Sequence, residues 1–139
     1  MRTRLLIVTL LLLSTSLRVR ASEFVRADIY FIPWMVRSFV ALPPEALRDA
    51  ARQGNAGSHV FHVTSAGRIA EMLQVLDLSA LRCRSGDYRA DTRLVIGFFD
   101  RNGNQTSYRA SSGFLSNLKN TMSRRVNGRF RKYFENFTL

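Results

Sequence analysis

The side chains that could do chemistry are few. His59 and His62 are the only histidines and Cys83 the only cysteine. A metal-binding pair on a helix places its histidines four apart on one face. The segment Ser58 to Thr64 (SHVFHVT) reads instead as a strand, where residues three apart point to opposite faces. The two imidazoles therefore do not converge on one ion, and no metal site is expected. Asp100-Arg101-Asn102-Gly103-Asn104 resembles the start of a calcium loop, but the EF-hand pattern needs Gly at its sixth position and Glu at its twelfth. Gln105 and Ser111 stand there, and a turn explains the same residues.

Nucleophilic catalysis would need Cys83 or a serine beside a histidine. The chain has no G-x-S-x-G elbow, no signature around Cys83 and no phosphate-cradling glycine loop. Asp87, Asp91 and Asp100 lie among arginines and glycines, as loop aspartates do. No catalytic residue and no cofactor is assigned, and the reading is a non-catalytic protein, with a small hydrolase using a His/Asp pair as the alternative from another class.

One stretch points to a partner. Ser123 to Leu139 carries Arg124, Arg125, Arg129, Arg131 and Lys132, interleaved with Phe130, Tyr133, Phe134 and Phe137. The aromatics fall at i, i+3, i+4 and i+7, which predicts an amphipathic helix; a strand pair turning at Asn127-Gly128 competes with it. Either the aromatics close the core and the arginines are its solvated outside, or the basic face meets an acidic protein, an anionic glycan or an anionic lipid surface. Nucleic acid falls outside this set if the protein is exported.

Export is the expectation from the N-terminus. Arg2 and Arg4 precede the apolar run Leu5 to Leu13, and Val19-Arg20-Ala21 follows as a cleavage site. The run falls short of the roughly 20 residues that span a bilayer. Residues 1–21 read as a cleaved signal peptide and 22–139 as a single domain, periplasmic or extracellular. Losing four arginines lowers the formal charge from +11 to +7. With one cysteine there is no internal disulfide, so the domain rests on its core. Cys83 reads as buried, with an intermolecular disulfide as the alternative. Asn104-Gln105-Thr106 and Asn136-Phe137-Thr138 are glycosylation sequons only in a eukaryotic host. A toxin-neutralising or hydrolase-inhibiting protein belongs to the same non-catalytic class.

The elements that position these residues follow from periodicity. Val25, Ala27, Ile29 and Phe31 alternate with polar residues and predict a strand. Met35 to Leu42 is a second extended candidate. Pro43-Pro44-Glu45 opens a short helix that Gly54 ends. Ser65 or Thr64 caps a second helix with Ile69, Met72, Leu73 and Leu76 on its inner face; Leu78, Ala80 and Leu81 extend it or form a separate turn. Residues 82–93 read as a solvated loop. Asp91 to Ser111 is a β-hairpin turning at Asn102-Gly103, with Gly97 opposite Tyr108 in a two-residue loop and Ile96 opposite it in a three-residue one. Phe114, Leu115, Leu118 and Met122 have helical spacing. The sum is an α+β fold: an antiparallel sheet of four to five strands with two to three helices packed mainly on one face.

Overall fold

The computed structural model of the protein describes residues 23–36, 40–83 and 91–138. The segment expected to be a signal peptide (residues 1–21) and Ser22, Arg37 to Phe39 in the second extended candidate, and Arg84 to Ala90 in the polar loop lie outside the described residues.

The fold is α+β, with six antiparallel strands and three helices. The strands are β1 (Phe24–Phe31), β2 (His59–Val63), β3 (Leu94–Asp100), β4 (Gln105–Ala110), β5 (Phe114–Asn117) and β6 (Ser123–Arg125), in the order β2-β1-β3-β4-β5-β6. The helices are α1 (Pro44–Arg52), α2 (Ala66–Leu76) and α3 (Gly128–Glu135). Helices α2 and α3 cover one face. Their Ile69, Met72, Leu76, Phe130 and Phe134 pack on Ala27, Ile29, Phe31, Leu94, Ile96 and Phe98 of the central strands. Helix α1 covers part of the other face, seating Leu47 and Ala51 on Tyr30, Ile32 and Val95. Full burial of a leucine such as Leu47 contributes about 1.5–3 kcal/mol. That is enough to hold a nine-residue helix too short to persist alone.

Six strands exceed the four to five expected. Phe114 to Met122 is not a helix but β5 and the turn that leads into β6. Asn117 decides this: its side-chain oxygen accepts from the backbone N–H of Thr121 (2.9 Å) and Met122 (3.2 Å), while its own N–H donates to the Met122 carbonyl. Asn120 takes a left-handed φ of 54° inside that turn. Four apolar residues at helical spacing cannot outweigh a side chain that satisfies the turn locally. Met35, Val36 and Val40 to Leu42, at the ends of the second extended candidate, belong to no strand.

Hairpin β3–β4 has the three-residue register. Ile96 faces Tyr108 and Gly97 faces Ser107, so the expected Gly97–Tyr108 pair does not form. Gly103, at φ 81°, takes the left-handed position of a bulged three-residue loop, and Asp100 accepts from the N–H of Asn102 and Asn104. These bonds, the side-chain amide of Asn104 foremost, hold the Asp100 carboxyl below the usual range. The one-residue shift moves Tyr108 to the α2/α3 face, where its ring meets the edge of Phe98 at 6.3 Å. Gln105 and Ser107 occupy the space over Gly97 instead.

Helix α3 is the C-terminal helix that the aromatic spacing predicts. Asn127-Gly128 starts it rather than turning a strand pair: the Asn127 side chain accepts from the Phe130 N–H at 2.9 Å, an N-cap. Helices α2 and α3 are tied by Glu71, which accepts from Arg68 (3.1 Å) and from the Tyr133 hydroxyl (3.3 Å). Burial, then the Glu71 charge, push the Tyr133 phenol up to about 12, with Arg68 opposing. An unfolded tyrosine loses its proton near 10. Between about 10 and 12 the native state therefore holds a proton that the unfolded chain has lost, and stability must fall as pH rises through that window. Urea midpoints at pH 9 and pH 11 should drop further in the wild type than in Tyr133→Phe; equal drops would contradict it.

Candidate functional site

The histidines lie on opposite faces of edge strand β2. His59 stacks on Phe61, centroids 5.8 Å apart, and Phe61 in turn meets Phe137 of the core. His62 faces Asp28 across the β1–β2 ladder, with Nδ1 2.9 Å from Oδ1. Arg26 adds a contact to the same carboxylate oxygen at 3.4 Å. A histidine oriented by a carboxylate is two-thirds of a hydrolytic triad. The nearest hydroxyl on that sheet face along the row is Ser107, opposite Gly97, two strands beyond Asp28 and hence on the order of 10 Å from it. No hydroxyl or thiol of the described residues hydrogen-bonds to His62. Among the described residues, no three His, Cys, Asp or Glu side chains are grouped to hold a metal ion. Cys83 is exposed, against the expectation of a buried residue. The preceding Arg82 forms a bridge with Ser123 of β6.

The five basic residues of the C-terminal stretch do not form one patch. Arg124 points to the α2/α3 face. Its Nε donates to the Leu76 carbonyl (2.8 Å) and its Nη2 to those of Leu76 (2.6 Å) and Val75 (3.1 Å), closing the C-terminus of α2. Burial lowers its guanidinium from the ordinary value, with Asp77 opposing. Arg125, the next residue in β6, points to the opposite face and lies over the Phe114 ring at 5.7 Å. Arg129, Arg131 and Lys132 are exposed on the outer side of α3. Phe130, Phe134 and Phe137 are buried, so the aromatic side of the helix closes the core and does not present itself to a membrane. Among the described residues no helix is long and apolar enough to cross one.

What sequence reading missed is how the cations are distributed. Residues 101–134 hold eight basic residues and no carboxylate, whereas the rest of 22–139 holds nine basic and ten acidic ones. Within residues 22–139 the net positive charge is thus carried by the segment 101–134, which runs from the turn after β3 through β4 to β6 and into α3. A running charge sum would have found this; counting arginines in the last seventeen residues did not.

Beside the β4–β5 turn, where β1 ends and β3 begins, lies a cavity of about 330 Å³, lined by Trp34, Asp91, Arg93, Ser111, Ser112 and Phe114. Arg93 is buried and ion-paired with Asp91, whose other oxygen accepts from the Leu42 N–H at 2.7 Å. The Ser111 hydroxyl accepts from the N–H groups of Gly113 and Phe114, fixing the turn that forms one wall. Trp34 forms another; its indole N–H donates to the Arg131 carbonyl at 3.0 Å and its ring packs against Phe31 and Phe130. The Arg131 side chain reaches the Ser112 carbonyl at 3.4 Å, and Arg125 lies on Phe114. The cavity therefore brings together residues from three separate parts of the chain. No protein family model matches the chain, and neither the curated proteins nor the solved structures yield a match.

Proposed function

We propose that the protein is a small non-catalytic binding protein, exported to the periplasm or the extracellular space, that holds an acidic protein partner through its β4–β6/α3 end. The observation that carries this reading is the charge asymmetry: eight basic residues without a carboxylate in residues 101–134, against a near-balanced remainder. Such an asymmetry steers an acidic surface toward one end of the molecule and speeds encounter. A toxin-neutralising or hydrolase-inhibiting role fits the same surface, since either acts by covering a partner rather than by chemistry of its own. Exposed Arg129 and Lys132 form no ion pair among the described residues, so both are available to a partner.

The test is binding to an immobilised deca-glutamate peptide at low and moderate salt. Arg125→Gln/Arg129→Gln/Lys132→Gln should weaken retention at least about tenfold, since hydrogen bonds to charged groups are worth about 1.5–3 kcal/mol each. Arg26→Gln/Arg48→Gln/Arg52→Gln removes the same charge from the other end and should keep most of the binding. Equal losses in both variants would show that net charge alone is sensed and would overturn the reading.

A further inference from the structure

We propose that the cavity between Trp34 and Phe114 receives a carboxylate side chain of the acidic partner; this rests on the proposed function and assigns its central contact. Size, charge and wall chemistry each restrict the occupant. At about 330 Å³ the cavity is at the small end of ligand sites, which run from roughly 300 to 1,000 Å³, so it admits a side chain or a small group. Within the lining the Arg93 guanidinium is matched by the Asp91 carboxylate, and two further guanidiniums stand against lining residues, Arg125 over the Phe114 ring and Arg131 at the Ser112 carbonyl, so the surroundings are net positive. That balance rejects a cation and favours an anion.

The choice of a carboxylate follows from the walls and from Asp91. Two aromatic rings suit the methylene stem of a glutamate, while the planar forks of Arg125 and Arg131 beside Phe114 and Ser112 suit its head group. Asp91 is already engaged with Arg93, and a doubly charged phosphate would be repelled by it more strongly than a carboxylate. The turn held by the Ser111 hydroxyl and the bond from Trp34 to the α3 backbone set the walls before any ligand arrives. Less ordering is then lost on binding.

Trp34 is the only tryptophan in the chain, so its emission reports this cavity directly. Titration with an acetylated, amidated hexa-glutamate peptide should give a saturable change in Trp34 fluorescence. Arg125→Gln/Arg131→Gln, both exposed positions, should raise the apparent Kd at least about tenfold with an unchanged thermal melt. Arg129→Gln/Lys132→Gln should weaken it much less. Peptide binding with no Trp34 response, weakened only by Arg129→Gln/Lys132→Gln, would overturn the cavity and leave the basic face standing. Absence of any peptide binding would remove both. An equal Trp34 response to inorganic phosphate or to a sulfated oligosaccharide at matched charge would overturn the choice of a carboxylate.

Discussion

Replacing Phe130 with alanine is expected to cost about 3–5 kcal/mol, the range for removing a buried aromatic from a core. Phe130 is 1 % exposed. Its ring lies 5.1 Å from that of Phe134 and 6.2 Å from that of Trp34, with the Arg124 guanidinium above it at 5.6 Å. Helix α3 has eight residues, too few to hold together without packing. The cavity left by the ring would loosen the helix from the sheet, and with it the Arg131 carbonyl that receives the Trp34 indole. Natural domains have only about 5–15 kcal/mol in hand, so the variant should lose a large share of its stability. Urea denaturation at pH 7 checks this, with Arg129→Ala as the exposed comparison, expected within about 0.5 kcal/mol of wild type. A loss below about 1 kcal/mol in Phe130→Ala would mean that the aromatic stripe is not the core face. If the stripe instead served to enter a membrane, Phe130→Ala would abolish vesicle binding while leaving stability intact.

The pattern of success and failure in reading this chain has a physical origin. Helix α2 was legible because Ser65 caps it and Ile69, Met72 and Leu76 repeat over two turns, a signal that adds up with length. Helix α3 was legible from Phe130, Phe134 and Phe137 for the same reason. Segments of three or four residues carry no such accumulation, and β5 and β6 were lost because side-chain bonds from Asn117 set their conformation. The hairpin register failed on a single residue: Asn-Gly suits a two-residue loop, but Asp100 captures the N–H groups of Asn102 and Asn104 and draws in the longer one. The cavity was out of reach altogether. Trp34, Arg93, Ser111 and Arg131 are brought together only once six strands are ordered, and nothing local marks them as neighbours.

Arg124 shows why the basic stretch has to be divided before it is tested. Arg124→Met is expected to lower stability by about 2–4 kcal/mol, because the carbonyls of Val75 and Leu76 have no helical partner of their own and would lose a charged donor. The guanidinium also complements the negative end of the α2 dipole. Arg124→Lys should recover roughly half the loss, since a point ammonium keeps the charge but cannot reproduce a fork shared between two carbonyls. Neutralising Arg124, Arg125, Arg129 and Arg131 together would therefore confound unfolding with loss of binding. The two separate in a paired measurement: urea stability and hexa-glutamate affinity of the folded protein. Arg124→Met should move the first and spare the second, whereas Arg125→Gln/Arg131→Gln should do the reverse. Should Arg124→Met leave stability unchanged and abolish peptide binding, Arg124 would belong to the binding surface and not to the end of α2.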